Sequence, residues 1–471
     1  MLDNLIRTKG RAGRRGYTLP KNDVGDTSLE GVLPKGSLRK EKPKLAEVDE
    51  PTVVRHYTNL SRQNWGIDTN FYPLGSCTMK HNPRANEVAA NNPGFAGLHP
   101  LQPEAQAQGA LEVMHELQGF LSEVSGLPAV SLQPLAGAQG ELTSILMVKK
   151  FFEDAGDHGR TTVLVPSTAH GTNPATASMA DFTAEEIGLD EHGCVDVDEL
   201  KELVDETTAA LMITNPNTCG VFERNIREIS GILHEAGAFL YMDGANMNAN
   251  LGRMRPAEAG VDVMHFNLHK TFSTPHGGGG PGCGAIACSE TLAPFRPDPT
   301  VEKRGDRYTF ARPENSIGRV AGFHGNFGQM LRAWNYIRMH GPDLRDVTDM
   351  AVLNANYVRA RLGGTYGVPY DELCKHEVVV QPPKGKKALD IAKGLIDHGY
   401  HPPTIYFPLV VKEAMLIEPT ETESKETLDD FIGAMLELAE TSPEDLEEAP
   451  THAPTRRLDE ARAARKLKAR W

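Results

Sequence analysis

The chain has 471 residues, 39% of them hydrophobic, with 45 glycines and 32 prolines, which is enough apolar material for a sizeable core spread over more than one domain. A formal net charge of −14 argues against sequence-independent nucleic-acid binding, which needs a basic footprint. The six cysteines (Cys77, Cys194, Cys219, Cys283, Cys288 and Cys374) form no CxxC pair. They argue against a metal site or disulfide framework and for free thiols in a reducing compartment.

In chain order, residues 1–100 read as an N-terminal arm and segment. The first 60 or so are rich in charge, glycine and proline ("RTKGRAGRRG", "LPKGSLRKEKPK") and suit an extended arm wrapping a partner or neighbouring domain; a loosely ordered tail is the alternative. The N-terminus has no apolar signal-peptide core and no apolar run reaches membrane-spanning length, so the chain reads as cytoplasmic, with no membrane span. From about 105, "EAQAQGALEVMHELQGFLSEVSGL" has helical apolar spacing and stops at Gly126 and Pro128. Short apolar runs then follow at 161–166, 209–214, 238–243, 262–267 and 283–288, with the amphipathic helix "NIREISGILHEAGA" between the second and third. Continuous apolar runs alternating with helices predict an α/β domain over 101–325, its central sheet mostly parallel and covered by helices. Residues 326–471 predict a smaller C-terminal α+β domain that ends in a basic, helix-prone tail.

In such sheets ligands sit beyond the carboxyl ends of the strands. Lys270 lies there, after the run "DVMHFN". A lysine so placed is a salt-bridge partner, a phosphate ligand, or an amine that forms an imine with an aldehyde cofactor. Pyridoxal phosphate (PLP) needs a lysine, an acid for its ring nitrogen, a flat group over its ring and a phosphate cradle. Asp243 ends "AFLYMD" and is the candidate acid, or else a helix N-cap. His170 in "STAHGTNPA" is the candidate flat group, or else a loop histidine satisfied by backbone. Gly137, Ala138, Gln139 and Gly140 open a helical run and suit an anion, with no nucleotide-binding GxxxxGK[ST] or GxGxxG nearby. The four-glycine run 277–280 would let backbone approach a ligand or subunit closely, or else is a mobile loop.

The strings "PLGSCTMK" (73–80), "PLAGAQGE" (134–141), "AHGTNPA" (169–175), "TNPNTCGVFE" (214–223), "YMDGANMNA" (241–249) and "NLHKTFSTPHGGGGPG" (267–282) resemble the glycine cleavage system P-protein family, glycine dehydrogenase (decarboxylating). The likeness covers about residue 50 to the last domain. It matches only the catalytic C-terminal half of the fused P proteins, and so resembles the second subunit of the split form. The resemblance implies a fold type I PLP-dependent transferase architecture with PLP as cofactor. It also implies glycine decarboxylation, with release of CO2 and transfer of the aminomethyl group to the lipoyl arm of the H protein.

Carried over by position, Lys270 bonds the cofactor aldehyde, Asp243 pairs with the ring nitrogen and His170 stacks on the ring. Ala138 and Gln139 join the phosphate cradle, and Thr78 and Asn217 lie near cofactor or substrate. The implied partners are a homologous first subunit, in a heterodimer or a dimer of heterodimers, and the lipoylated H protein, alongside the T and L proteins. Arg312 and Arg319 are candidates for the substrate carboxylate by their place before the small domain. Another fold type I PLP enzyme, an aminotransferase or amino-acid decarboxylase, and a non-catalytic structural subunit remain the competing readings.

Overall fold

The computed structural model describes residues 5–467 apart from 17–19, 22, 26, 27, 30, 42, 44 and 277–281. The chain divides into two units, residues 1–69 with 452–471, and residues 70–451. In the first unit the helix Glu50–Ser61 carries proline in its first turn and is capped by Asp49, whose carboxylate accepts the Thr52 N–H at 2.9 Å. The basic tail forms the short helix Glu460–Arg465, capped by Asp459.

The second unit is built on a seven-stranded sheet. Its strands are β1 (Ala129–Ser131), β2 (Thr162–Pro166), β3 (Thr183–Ile187), β4 (Thr208–Thr214), β5 (Phe239–Asp243), β6 (Val263–Asn267) and β7 (Gly284–Cys288). They lie in the order β1-β7-β6-β5-β4-β2-β3, with β7 antiparallel to both neighbours and every other pair parallel. Every residue of β4, β5, β6 and β7 is buried, as a sheet covered on both faces requires. Alternate side chains feed two cores. Leu211, Ile213, Leu240, Met242 and Phe266 pack with Leu117, Ile229 and Leu233 on one face, while Val163, Ala210, Met212, Tyr241 and Ile286 pack with Ile145, Val148 and Phe152 on the other. The edge strand β3 (TAEEI) turns Thr183, Glu185 and Glu186 to solvent, which discourages pairing with another chain. A hairpin of β8 (Thr300–Arg304) and β9 (Arg307–Ala311) follows.

The helices Phe327–His340 and Leu344–Leu362 lead into an antiparallel three-stranded sheet of β10 (Val378–Val380), β11 (Thr404–Ile405) and β12 (Met415–Ile417), ordered β10-β12-β11. Val358, Leu362, Val378, Ile391, Leu395, Ile417, Phe431 and Met435 form its core with Phe71. The segment after Phe71 runs along β12. Leu74 bridges Ile417, the Gly75 N–H donates to the Leu416 carbonyl at 3.2 Å, and the Glu418 N–H donates to the Pro73 carbonyl at 3.2 Å. A Cβ at Gly75 would lie 2.3 Å from Leu416 Cγ, so only glycine permits this approach. Residues 70–100 thus belong to the larger unit, and they carry "PLGSCTMK" to the carboxyl ends of the main strands. Among the described residues no helix is long and apolar enough to cross a membrane.

Candidate active site

Lys270 follows β6 by three residues, in a turn where its N–H donates to the Asn267 carbonyl. Its Nζ donates to the carbonyl oxygen of Ser76 at 2.7 Å. The Ser76 hydroxyl lies 3.0 Å from His170 Nε2, and His170 Nδ1 lies 2.9 Å from Asp243 Oδ2. The carboxylate can only accept, so Nδ1 carries the proton and donates it. One chain of polar contacts therefore joins Lys270 through Ser76 and His170 to Asp243, and these groups come from β6, the 73–80 segment, the loop after β2 and the end of β5.

Asp243 is buried and every contact of its carboxylate is supplied. Oδ1 accepts the Ala245 N–H at 2.9 Å and lies 3.4 Å from His265 Nε2; Oδ2 also accepts from the Asn173 amide at 3.2 Å. Burial pushes this carboxyl up, but the charges of His170 and His265 and the donated hydrogen bonds outweigh it. The group is held well below the usual carboxylate range. Asn173 shares its amide with Glu141, a second buried acid that also accepts from Thr172 at 2.9 Å. Burial, then the charge on Asp243, raises the Glu141 carboxyl. His269 and His276 flank the lysine. Burial first and the Lys270 charge among the further causes lower them to about 4 and about 3, so both are neutral imidazoles at physiological pH.

The helix Gly137–Asp154 begins against the end of β6. A Cβ on Gly137 would lie 2.0 Å from Asn267 Oδ1 and one on Gly140 would lie 2.7 Å from His265 Cβ, so these glycines set the approach. The helix start has no side-chain cap, which leaves the first-turn amides for an anion. Ala138 is exposed there. The Gln139 side chain is committed elsewhere, accepting the Leu135 N–H at 2.7 Å and donating to the Val320 carbonyl, so an anion at this helix start would meet its backbone rather than its side chain.

The remaining expected residues divide. Thr78 is buried, its N–H and hydroxyl both donating to Glu418. The Asn217 amide is used inside the protein: Oδ1 accepts the Cys219 and Val221 N–H groups of its own turn, and Nδ2 donates across to the Gly193 carbonyl at 2.6 Å. Its side chain therefore shapes the loop after β4. Arg312 and Arg319 are exposed, the former at the limit of an ion pair with Asp298 (4.0 Å) and the latter against the Phe323 carbonyl (3.5 Å). The four-glycine run 277–280 lies outside the described residues. All six cysteines are free; Cys77, between Ser76 and Thr78, has its thiol raised chiefly by burial.

Sequence reasoning missed Ser76, Glu141, Glu377 and Glu418. Ser76 and Glu141 stand inside quoted motifs, while the other two are acids that flank apolar strands of the small domain. The donor set suits pyridoxal phosphate: an amine resting on Ser76, an imidazole that touches the same serine, and a buried ionised acid behind that imidazole, beside an uncapped helix start whose glycines leave no room for a Cβ.

Two family models match the chain, one described as aminotransferase class-V over residues 139–298 and one as glycine dehydrogenase, C-terminal domain, over residues 347–461. A relative in Halalkalibacterium halodurans, named "Probable glycine dehydrogenase (decarboxylating) subunit 2", is 54% identical over 98% of this chain and 96% of its own length. One of the same name in Alkaliphilus oremlandii is 50% identical over 100% and 98%. Among solved structures, an inhibitor-bound glycine decarboxylase (P-protein) of the glycine cleavage system superposes with a TM-score of 0.71 at 20% identity, covering 87% of this chain and 92% of that one. A cysteine desulfurase from Escherichia coli superposes at 0.63 and 15% identity, covering 81% and 98%. The fold is the fold type I PLP architecture.

Proposed function

The chain belongs to the glycine dehydrogenase (decarboxylating) subunit 2 family, and on that premise we propose that Lys270, His170 and Asp243 carry the PLP-dependent decarboxylation of glycine in the glycine cleavage system. The observation that carries the site assignment is that Ser76 meets Lys270 Nζ with its carbonyl and His170 with its hydroxyl, while His170 in turn meets the Asp243 carboxylate.

Pyridoxal 5′-phosphate, when bound, supplies the electron sink for the bond to the departing carboxylate. Lys270 would hold its aldehyde carbon, Asp243 would keep its ring nitrogen protonated, His170 would cover the ring, and the Gly137–Gln139 amides would hold the phosphate. Asp243 can do this only while ionised, and the His170 and His265 contacts maintain that state against burial. His170 cannot rotate freely, because Asp243 fixes Nδ1 and Ser76 fixes Nε2. The Lys270 amine, when not engaged, rests on the Ser76 carbonyl, so it returns to a defined position after each turnover. Neutral His269 and His276 beside it can accept a proton that the amine gives up.

The aminomethyl group left after CO2 departs passes to the lipoyl arm of the H protein, and a homologous first subunit completes the enzyme, with T and L proteins handling later steps. The family name and its subunit numbering support this. Six free thiols support a cytoplasmic setting. The test is exchange of labelled CO2 into the glycine carboxyl by this chain with its first subunit. Exchange that requires lipoylated H protein supports the reading. Formation of a free keto acid with no need for H protein would instead identify an aminotransferase.

A further inference from the structure

Ser76 and Thr78 both have positive φ, +62° and +47°, a backbone region that side-chain-bearing residues enter at a cost. Two buried carboxylates hold them there. Glu377 Oε2 accepts the Ser76 N–H at 2.7 Å, and Glu418 accepts the Thr78 N–H at 2.7 Å and the Thr78 hydroxyl at 2.5 Å. The acids reach the same place because β10 and β12 are antiparallel with Val378 opposite Ile417, so residues 377 and 418 are the next pair in register. The segment they clamp presents the Ser76 carbonyl to Lys270 and the Ser76 hydroxyl to His170.

We propose that Glu377 and Glu418 are positioning residues for the reaction: by clamping the left-handed backbone at Ser76 and Thr78 they fix the Lys270 amine and the His170 ring relative to each other. This rests on the PLP-site reading above.

His376, Glu377 and Glu418 each offer a ligand atom within 4.8 Å of the others, yet all four carboxylate oxygens already accept protein donors, the fourth from the Asn246 amide at 3.4 Å. The groups facing the pair are the Ser76 and Thr78 donors with the Cys77 thiol between them, Cys219 from the loop after β4, Asn246 from the turn after β5, Lys270 after β6, and Cys374, His376 and Glu421 from the small domain. Burial lowers His376 to about 3, so it is neutral, and Lys270 is the cation that offsets the pair. Two buried carboxyls this close disfavour the ionisation of both at once. Burial raises the Glu418 carboxyl too, but two short hydrogen bonds from Thr78 oppose that and favour its ion over that of Glu377. Glu377 takes one short bond and one long one, so of the two acids it is the better suited to hold a proton. Burial and the Glu418 charge push it the same way. Glutamine copies a protonated glutamate, which separates the two sites.

The experiment compares E377A, E377Q, E418A and E418Q with the wild type in two ways. One is hydrogen exchange of the 70–80 peptide in cofactor-free protein; the other is the pH titration and borohydride reduction rate of the lysine-bound chromophore in holoprotein. Expected are lost protection and a reduction rate changed about tenfold or more in both alanine variants and in E418Q, with E377Q close to wild type. Alanine variants that fold and keep wild-type protection and chromophore titration would overturn the proposal. Should the alanine variants fail to fold, E377Q and E418Q carry the test, and identical behaviour of these two with the wild type overturns it. A wild-type protein that forms no lysine-bound chromophore at all would instead defeat the underlying site reading.

Discussion

Lys270 donates to the Ser76 carbonyl across 194 positions of sequence, and the same serine touches His170, the partner of Asp243. A segment that precedes every strand of the main sheet in sequence thus meets both the amine and the histidine that holds the acid. The site is assembled from strand ends of one sheet and from a segment held by the other.

The ionised state of Asp243 is the electrostatic centre of the site. Asp243→Asn keeps an acceptor for the Ala245 N–H but removes the charge that holds His170 and His265. We expect kcat to fall by about 10²–10³ while the fold survives, measured as kcat and as the absorbance of bound cofactor. Unchanged kcat would remove the acid from the mechanism.

Gly137→Ala drives a methyl to within 2.0 Å of Asn267 Oδ1, three residues before Lys270. The helix start must move off β6, at about 1–3 kcal/mol. The expected result is weaker PLP binding, by roughly tenfold or more, read by titrating the cofactor-free protein, with a smaller loss in thermal stability.

Lys80 is a buried lysine whose Nζ donates to Glu421 at 2.6 Å, Asn248 at 3.0 Å and the Tyr336 hydroxyl at 3.2 Å. Lys80→Met leaves a mostly buried carboxylate without its cation. Such breaks cost about 3–5 kcal/mol, to be read from urea unfolding. A loss within experimental error would mean that water reaches Glu421.

Burial pushes the Glu423 carboxyl up from 4.5 to about 7. The folded state therefore keeps a proton that the unfolded chain releases. Its stabilising contribution is complete below about 4.5, declines as pH rises, and is gone above about 7. Relative to wild type, Glu423→Gln should gain in melting temperature as pH rises through that window and stay level above it. A constant difference from pH 4 to 8 would contradict the shift.

The central strands were legible because burial on both faces makes them continuous apolar runs: 209–214, 238–243, 262–267 and 283–288 coincide with β4 to β7 within one residue. β1 is too short to show a period, and β3 turns two glutamates outward and reads as loop. Lys270, Asp243 and His170, the proposed site residues, stood out in the sequence because each ends or follows such a run. Ser76 was not, since its role is in its carbonyl and its left-handed backbone, which residue type does not announce. Glu377 and Glu418 meet only through the β10–β12 pairing, a contact between distant segments; their one signal was an acid immediately before "VVV" and another immediately after "MLI". Asn217 looked like a site residue because asparagine in a polar strand-end loop is equally suited to closing the turn, which is how its amide is used.

The most direct measurement is borohydride reduction of the PLP-loaded protein followed by peptide mapping. The account predicts a single reduced adduct on Lys270, in the peptide that contains "NLHKTF". An adduct on another lysine, or none while the cofactor stays bound, would contradict it.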